Sequence, residues 1–270
     1  MAKRAPYCTY QKKAVTLHGF GVFRLGHTEC KSTLGRIMKI ALIGYGKMGH
    51  IIEEMAQERG HQVICTIDKD NLRDFDSEAF AAADVAIEFT TPATAEENIR
   101  RAWSKGKPVV CGTTGWNVDE FIIRNSQFLI TNALVWSSNY SIGVNILFAL
   151  NKQLAKIMQR YPEYTPSITE VHHVHKLDAP SGTAKTLAEQ INKTSPTTPS
   201  EEGVGMVKIT SVREGEVPGI HSVTWDSEVD TLCISHSAKS RKGFALGAVL
   251  AAEWIIGKTG YHTFDEVMNS

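Results

Sequence analysis

The sequence predicts an α/β fold: a parallel sheet with helices on its faces, and a smaller α+β region inserted before the last long helix. Three observations lead to this prediction. Short apolar strands alternate with helical patterns between residues 38 and 132, several of these strands end in glycine, threonine or serine, and strand follows strand between residues 204 and 236. Strands separated by helices form right-handed βαβ units, and such units build parallel sheets.

Apolar residues at helical spacing or in short runs define the elements of the first region. Ile51, Ile52, Met55 and Ala56 mark one helix, and Gly60 ends it because a helix end often requires a left-handed residue. The expected elements in chain order are strand 39–43, helix 50–59, strand 63–67, strand 84–89, helix 93–104, strand 108–111, helix 118–124 and strand 128–132.

The pattern changes after Tyr140. The expected elements are helix 144–160, strand 168–175, helix 183–191, strands 204–213, 221–226 and 228–236, which alternate like antiparallel strands, and helix 244–257. A segment rich in Pro, Ser, Thr and Glu, residues 195–203, predicts a mobile loop. We therefore assign residues 38–139 and 241–270 to a dinucleotide-binding domain and residues 140–240 to an inserted substrate-binding domain.

The composition and charge of the chain indicate what kind of partner it binds. The chain has 270 residues with 29 basic and 29 acidic side chains, so no net field draws it to nucleic acid or to a membrane. No apolar run reaches the length of about 18 residues that a membrane span requires. The five cysteines are odd in number and form no C-x-x-C pair, which argues against a disulfide framework or a structural zinc site. We expect a cytoplasmic protein with reduced thiols and a small-molecule partner.

Residues 1–37 differ from the rest because they hold seven Lys or Arg side chains against one acid, Glu29. A basic, acid-poor leader is typical of a transit peptide. Several glycines interrupt any amphipathic helix here, however, and we favour the interpretation that Met38 is the true start and that residues 1–37 are a misassigned extension. In either case we expect this segment to lie outside the fold.

The motif Gly44-Tyr45-Gly46-Lys47-Met48-Gly49 follows the first strand and opens a helix. In that context Gly44 permits a tight turn, Gly46 lets the backbone approach a pyrophosphate, and Gly49 allows the helix to pack closely on the strand. The helix N-terminus then offers free N–H groups to the phosphates. The motif predicts a dinucleotide site in a Rossmann-type domain, and a tight turn without a ligand is the alternative.

Asp68 ends the second strand, about 20 residues beyond the glycine motif, where a carboxylate binds ribose hydroxyls. This carboxylate favours NADH, since it would repel a 2′-phosphate. The adjacent Lys69 would neutralise such a phosphate, or else it is only a solvated charge. The expected cofactor is therefore NADH, NADPH or both.

Residues 170–183 form the densest group of reactive side chains, including His172, His173, His175 and Lys176. Such a group suits a metal site, an anion-binding and proton-donating site, or a merely structural strand end. The helix start that follows, Ser181-Gly182-Thr183, favours the second interpretation because its hydroxyls and amides can hold a carboxylate. A substrate with two carboxylates would use that helix start together with His173 and Lys176.

The two faces of a strand separate these histidines. In an extended strand His173 and His175 share one face while His172 lies on the other, so all three reach one ligand only if the strand breaks here. We therefore expect His175 to be a hydrogen-bonded supporting residue, and we assign no metal site.

The segment E-V-H-H-V-H-K-L-D-A-P-S-G-T-A, residues 170–184, resembles the signature E-x-H-H-x-x-K-x-D-A-P-S-G-T-A of the dihydrodipicolinate reductase family. Further segments agree in order and position: 88–92, 111–116, 137–145, 211–215 and 236–243. The resemblance extends from about residue 38 to residue 258. The sequence departs from the family in its first glycine loop, where the usual G-x-x-G-x-M-G is one residue longer, and at Ser137-Ser138, which stands in the usual A-x-N-F/Y-S stretch.

The resemblance implies NAD(P)H-dependent reduction of 4-hydroxy-tetrahydrodipicolinate, or dihydrodipicolinate, to tetrahydrodipicolinate on the route to diaminopimelate and lysine. It implies His172 as catalytic proton donor or acceptor, Lys176 as proton donor, and a homotetramer built by the inserted domain. It implies that His173, Gly182 and Thr183 bind substrate, alongside Ser181. The residues expected along the cofactor are Gly44, Tyr45, Gly46, Lys47, Met48, Gly49, Asp68, Lys69, Gly112, Thr113, Thr114, Ser137, Ser138, Asn139 and Tyr140. The alternatives are an amino-acid dehydrogenase of the aspartate or homoserine type and a non-catalytic NAD-binding protein.

Overall fold

A six-stranded parallel sheet forms the centre of the structure, a computed structural model that describes residues 37–194 and 207–270. Its first part contains, in chain order, β1 (Lys39–Ile43), α1 (Lys47–Glu58), β2 (Gln62–Ile67), α2 (Glu78–Ala82), β3 (Val85–Glu88), α3 (Ala95–Ser104), β4 (Val109–Cys111), α4 (Val118–Arg124) and β5 (Ala133–Trp136). The second part contains α5 (Ile142–Met158), β6 (Thr165–His172), α6 (Gly182–Asn192), β7 (Lys208–Arg213), β8 (Ile220–Asp226), β9 (Thr231–Ser237), α7 (Lys242–Ile255), β10 (Gly260–Thr263) and α8 (Phe264–Met268).

The strand order of the large sheet is β10-β5-β4-β3-β1-β2, and all its pairs are parallel. Helices cover both faces, so the central strands are buried on both sides. In β1, for example, Ile40 and Leu42 pack into the cluster that includes Ile52 of α1, whereas Ala41 and Ile43 pack into the opposite cluster. This arrangement confirms the predicted α/β class with a Rossmann-type parallel sheet.

The second sheet has four strands in the order β7-β6-β8-β9. Strand β6 pairs antiparallel with β8, and β8 pairs antiparallel with β9. One face of this sheet packs against α5 and α6 through a buried cluster that includes Ile168, Val223, Leu147 and Leu187. The predicted second α+β region is therefore present, and α7 then returns to the large sheet, where it packs on α1.

Three predicted strands differ from the observed ones. Residues 128–132 form no strand, and a short 3-10 turn, Phe128–Ile130, precedes β5. Ile130 is 75% exposed and Phe128 46% exposed, whereas Ala133 and Val135 are buried and form the strand. Strand β6 ends at His172, three residues before the predicted end. Strand β7 pairs with β6 in parallel, and not antiparallel as predicted.

The C-terminal residues form two elements that the sequence did not predict. Strand β10 adds to the edge of the large sheet beside β5, and α8 follows it directly. Thr263 and Glu266 form a capping box at the start of α8, and Phe264 is buried in the same cluster as α7. A four-residue strand that begins with a glycine, as β10 does at Gly260, has too short an apolar pattern to be recognised from the sequence.

Residues Ile37–Ser270 form one compact unit, so the boundaries of the two domains, at residues 139/140 and 240/241, stay a prediction. The leader up to residue 36, the predicted loop 195–203 and the start of predicted strand 204–213 lie outside the described residues. Within residues 37–194 and 207–270, no helix combines the length and apolarity needed to cross a membrane.

Candidate active site

The carboxyl ends of β1 to β5 all face the same edge of the large sheet, because the strands are parallel. The glycine motif 44–49 follows β1, Asp68 follows β2, residues 112–114 follow β4 and residues 137–139 follow β5. Open α/β sheets bind their ligands in the crevice at this edge. The structure thus brings the predicted cofactor-binding segments to one side of the sheet.

The glycine motif has the geometry that a phosphate requires. Gly44 has φ +91°, and a Cβ atom there would lie 2.1 Å from the carbonyl oxygen of Phe89. Gly49 is restricted by close approach alone, since its Cβ atom would lie 2.6 Å from the Gly44 carbonyl oxygen. Gly46 is open: no described atom lies within 4 Å of a Cβ placed there. It is the N-cap of α1, and no described side chain caps that helix end, so its first N–H groups can bind a phosphate.

The side chains between these glycines have different environments. Tyr45 packs on His50 with ring centroids 4.2 Å apart, and its hydroxyl donates to Glu53. That hydrogen bond, together with burial, raises the pKa of Tyr45. Lys47 is exposed at the start of α1, and Met48 packs against the core. Of the three, Lys47 is the side chain best placed to meet solvent or a ligand.

Asp68 and Lys69 are exposed just beyond β2. Asn71 shapes this turn, because its Oδ1 atom accepts from the Asp68 backbone N–H at 2.6 Å. The Asp68 carboxylate accepts from the Lys69 backbone N–H at 2.7 Å. The turn therefore presents one negative and one positive side chain together.

The loop after β4 is held closely against the end of β3. The ring of Phe89 covers Gly112, where a Cβ atom would lie 2.2 Å from the ring. The Thr113 hydroxyl accepts from the Thr90 backbone N–H at 2.8 Å, while Thr114 is exposed. The hydroxyl of Thr113 is thus used within the protein, and Thr114 is the member of this loop that reaches the cavity described below.

The segment after β5 divides into exposed and buried residues. Ser138 is exposed and Asn139 is half-buried, and both line the same cavity. The Ser137 hydroxyl instead donates to the Asn139 carbonyl at 2.9 Å. The side chain of Tyr140 lies in the core, with its hydroxyl 3.0 Å from the carbonyl oxygens of Cys111 and Val135. Burial raises the pKa of Tyr140 well above its ordinary value. The Tyr140 side chain therefore holds β4 and β5 together, and the role of residue 140 at the cofactor stays a prediction.

A cavity of about 380 Å³ lies between these strand ends and the second sheet. One wall contains Thr114, Ser138 and Asn139, which were predicted to bind the cofactor. The opposite wall contains the six residues predicted for catalysis or substrate binding, which are His172, His173, Lys176, Ser181, Gly182 and Thr183. The structure therefore brings two groups of predicted site residues to one cavity, although up to 69 residues separate them in the sequence.

The end of β6 at His172 explains how adjacent histidines face the same cavity. Beyond it the chain leaves the sheet: the Val174 N–H donates to the Gly215 carbonyl, and the Lys176 N–H donates to the His173 carbonyl, both at 3.1 Å. His172 is buried and His173 is half-buried. His175 lies outside the cavity, with 73% of its side chain exposed and Nε2 at 3.2 Å from Glu216.

Lys176 forms an ion pair with Asp178, with 2.7 Å between Nζ and Oδ1. That pair lowers the pKa of Asp178. Arg213 of β7 secures the same loop, because it donates to the carbonyl oxygens of Lys176 at 3.2 Å and Asp178 at 2.6 Å. The position of Lys176 thus depends on a residue in a neighbouring strand.

The start of α6 lines the cavity with Ser181, Gly182 and Thr183, and both of its hydroxyls accept hydrogen bonds within the protein. Ser181 is the N-cap, and its Oγ accepts from the Ala184 N–H at 3.2 Å. Gly182 is exposed, and the Thr183 hydroxyl accepts from the Asn139 side-chain amide at 3.2 Å. This last hydrogen bond joins the two walls of the cavity directly.

Sequence reasoning assigned no role to three polar residues of this region: His221, which lines the cavity, and Glu170 and Arg213, which lie behind the lining residues. Glu170 is fully buried, and its carboxylate accepts from the Ser181 N–H at 3.0 Å and from the Ser211 hydroxyl at 2.7 Å. Glu170 and Arg213 lie in motifs that carried the resemblance, which was the available signal. His221 lies in β8, and only the pairing of β6 with β8 brings it here.

Burial and hydrogen bonding set the protonation states of Glu170, His172 and His221. Burial lowers the pKa of His172 below its ordinary value, although the Glu170 carboxylate acts in the opposite direction. Burial and the nearby His172 lower the pKa of His221 from 6.5 to about 4. Burial would raise the pKa of Glu170, but the hydrogen bonds from Ser181 and Ser211 bring it below its ordinary value. Near neutral pH the cluster therefore holds neutral imidazoles and one buried carboxylate.

The residues that could hold a metal ion in the structure differ from those that the sequence suggested. His172, His173 and His175 do not converge, because His175 is directed to solvent. Among the described residues a different group, Glu170, His172 and His221, has ligand atoms within 4.8 Å of one another. The Glu170 carboxylate already accepts hydrogen bonds and lies 3.6 Å from the Arg213 guanidinium, which disfavours a further cation at this position.

Comparison with known proteins identifies the family. Two family models, described as "Dihydrodipicolinate reductase, N-terminus" and "Dihydrodipicolinate reductase, C-terminus", match residues 38–140 and 143–268. The chain belongs to the dihydrodipicolinate reductase family. The family predicted from the segment 170–184 is thereby confirmed, and the family matches do not support the amino-acid dehydrogenase alternative.

Relatives in this family are similar over nearly their whole length. A 4-hydroxy-tetrahydrodipicolinate reductase of Christiangramia forsetii is 44% identical over 240 residues, which cover 86% of this chain and 98% of that protein. One of Thermosipho africanus is 35% identical over 234 residues, covering 86% of this chain and 98% of that protein. A solved dipicolinate-bound dihydrodipicolinate reductase from Paenisporosarcina has a TM-score of 0.67 at 22% identity, covering 84% of this chain and 98% of that structure. The structural likeness extends the family match to the fold.

Proposed function

We propose that the protein reduces 4-hydroxy-tetrahydrodipicolinate to tetrahydrodipicolinate with NADH or NADPH. The observation that carries this proposal is the cavity whose one wall is formed by strand ends of the nucleotide-binding type of sheet and whose other wall carries His172, His173, Lys176 and the start of α6. The relatives at 44% and 35% identity are named for this activity, and they support the same substrate.

The cofactor residues are proposed from the fit of the glycine motif. Gly44, Gly46 and Gly49 leave an open helix start where the pyrophosphate would bind, and Asp68 would bind ribose hydroxyls. Thr114, Ser138 and Asn139 would bind the nicotinamide end, because they line the cavity near His172. Ser137 would act beside them by holding the Asn139 backbone. The reduced nicotinamide would supply the hydride when bound.

The substrate residues are proposed from charge and hydrogen-bonding capacity. A cyclic dicarboxylate needs two anion-binding positions. The start of α6 offers the N–H groups of Gly182 and Thr183 together with the Thr183 hydroxyl, and His173 and Lys176 offer the second position. Asp178 would compete with the substrate for Lys176, since the two side chains are paired at 2.7 Å.

Proton donation is assigned to Lys176. The 4-hydroxyl of the substrate leaves as water, which gives a conjugated imine, and hydride addition to that imine leaves an electron-rich enamine that must gain a proton. A positioned ammonium group can donate this proton. His172, neutral because of burial, would orient or relay that proton. Neighbouring positive charge from Arg213 would stabilise the developing anion.

A coupled assay tests the proposal. The condensation product of pyruvate and aspartate semialdehyde is generated in place, and the absorbance of NADH and of NADPH is followed in separate reactions. We expect consumption of at least one cofactor that depends on the condensation product. Cofactor binding without consumption would contradict the proposal and favour a non-catalytic NAD-binding protein.

We propose in addition that the protein is a cytoplasmic homotetramer that binds neither nucleic acid nor membrane. The family resemblance supports the tetramer, and the balanced charge of 29 basic and 29 acidic residues supports the absence of polyanionic partners. Sedimentation velocity on the full chain distinguishes a tetramer from a dimer or monomer.

A further inference from the structure

Glu170 is a fully buried carboxylate that connects four separate segments around the proposed substrate wall. It lies in β6, two residues before His172. Both of its oxygens lie within hydrogen-bonding distance of the Ser181 N–H, at 3.0 and 3.2 Å. It also accepts from the hydroxyl of Ser211 in β7 and lies 3.6 Å from Arg213.

The two imidazoles of the cluster approach the same carboxylate. His172 Nδ1 lies 3.5 Å and His221 Nε2 lies 3.7 Å from Glu170 Oε2. Nδ1 of His172 is buried and has no hydrogen-bond partner among the described residues. The other ring nitrogen, Nε2, faces Gly219: a Cβ atom added there would lie 3.2 Å from it, so the absence of a side chain at this position leaves room for the ring. A small shift would let Nδ1 donate to Glu170, whose charge is fixed beside it.

Glu170 is a costly residue in this position. A buried carboxylate loses its hydration, and only charged or hydrogen-bonding partners offset that cost. Its partners here are the N-cap backbone of α6, a serine and an arginine of β7, and the histidine side chains. Two of these segments carry residues of the proposed substrate site, since α6 carries Thr183 and β6 carries His172. A third, β7, carries Arg213, which fixes the loop that carries Lys176.

We propose that Glu170 is a positioning residue that fixes the start of α6 relative to His172 and orients the His172 ring. Through the Ser181 N–H it holds the helix end that would bind one substrate carboxylate. Through Arg213 it supports the loop that places Lys176. The inference rests on the proposed function, because it concerns the geometry of that same site.

The carboxylate also affects the titration of His172. Five charged or titratable groups surround that imidazole: Glu170, Lys176, Asp178, Arg213 and His221. Glu170 and Asp178 raise the pKa of His172, whereas Lys176 and Arg213 lower it. Removing the charge of Glu170 therefore moves the titration of His172 to lower pH, since one of its two anionic neighbours is lost.

The test uses Glu170→Gln in the full chain, because glutamine keeps the shape and an acceptor oxygen but lacks the charge. We expect kcat/KM to fall about 10- to 100-fold, the range for losing charge-assisted hydrogen bonds, with KM for the imine rising more than KM for the cofactor. In histidine-labelled protein, the NMR titration midpoint of His172 should move to lower pH. The matched control is Glu189→Gln, which removes an exposed negative charge from α6 and should change neither measurement.

Two further measurements keep the outcomes distinct. If Glu170→Gln does not fold, Glu170→Asp retains the charge on a shorter side chain and should raise KM for the imine while leaving the His172 midpoint near its original value. Wild-type KM in the aspartate variant, or an unmoved His172 midpoint in a folded glutamine variant, would overturn the inference. If the wild-type enzyme itself shows no turnover, the proposed function fails, while the NMR titration still reports on Glu170 and His172.

Discussion

The two walls of the cavity are built by different means. The wall at the ends of the parallel strands, the backbone wall, places Thr114, Ser138 and Asn139 at the cavity. Outside the cavity, on the same edge of the sheet, it uses backbone: glycines at positions 44, 46, 49 and 112 allow close approach or leave N–H groups free. The opposite wall, the charged wall, uses polar and charged side chains: His172, His173, Lys176 and His221 line the cavity, and the Glu170 carboxylate is buried behind them. The first wall follows from local sequence spacing, whereas the second requires the pairing of β6 with β7 and β8.

This difference has a consequence for mutations. Changes at the backbone wall should act through sterics and should disturb folding or cofactor binding. Changes at the charged wall should act on turnover and on pH dependence while the fold persists. The following predictions separate these two behaviours, in order of expected size.

The largest effect is expected at Lys176. Lys176→Met keeps the length of the side chain but removes the ammonium group, and it should lower kcat by about 10²- to 10⁴-fold, the usual contribution of general acid catalysis. The matched control is Lys185→Met, an exposed lysine of α6 that lies outside the cavity, and its kcat should stay close to wild type. Near-normal turnover in a folded Lys176→Met protein would refute the role of the charged wall.

At the backbone wall, Gly44→Ala should destabilise the fold by about 3 kcal/mol or more, because the new Cβ atom meets the Phe89 backbone in addition to the unfavourable φ. Gly60→Ala is the matched control. Gly60 has φ +84°, similar to the +91° of Gly44, but no described atom lies within 4 Å of its Cβ position. We expect it to cost only about 1 kcal/mol. Equal losses in thermal denaturation would show that packing on Phe89 contributes nothing.

His221 in the charged wall should also affect how the free energy of unfolding depends on pH. His221 has its pKa lowered from 6.5 to about 4, so the folded state resists the proton that the unfolded chain accepts. The free energy of unfolding should therefore be highest above pH 6.5 and decline as the pH falls to 4, by about 3 kcal/mol for this residue. His221→Gln should show a shallower decline in denaturant titrations at pH 7, 5.5 and 4.5. An equally steep decline would assign the effect to other groups.

The smallest effect is expected at the exposed turn after β2. Lys69→Ala should raise KM for NADPH and leave KM for NADH unchanged, because only NADPH carries the 2′-phosphate that Lys69 would neutralise. The increase should be only about 2- to 5-fold, since solvent screens an exposed charge. Asp68→Asn should change the ratio in the opposite direction, in favour of NADPH. Steady-state kinetics with each cofactor measures both. Unchanged ratios in both variants would mean that Lys69 is only a solvated charge.

The sequence predicted most of the large sheet because each strand and helix has its own apolar period. It also placed the glycine motif and Asp68 at strand ends, which is a local property of βαβ units. Strand 128–132 was misplaced because Phe128 and Ile130 are apolar yet exposed, so periodicity alone favoured the wrong residues. The parallel pairing of β7 with β6 and the pairing of β10 with β5 join residues that are distant in the sequence, and no local pattern predicts them.

The sequence predicted the site residues that lie in one continuous segment, but not those that strand pairing brings to them. His172, His173, Lys176 and Thr183 lie in one continuous segment, and the resemblance named them together. The roles of Glu170 and Arg213 depend on contacts across β6 and β7 that no spacing rule specifies, and His221 requires the register of β8 as well. The sequence of the segment 137–140 did not show that the Tyr140 ring lies in the core, because the position of a residue in a motif does not reveal which way its side chain faces.

The hydrogen bond from Asn139 to Thr183 has a thermodynamic consequence for both ligands. The Thr183 hydroxyl accepts from the Asn139 amide, which leaves its own hydrogen available to a carboxylate. A hydroxyl that accepts is a stronger donor, and one that donates is a stronger acceptor, so each bond strengthens the other. An acid held on α6 therefore steadies the loop after β5, and that loop in return favours the acid by the same factor, as linkage requires.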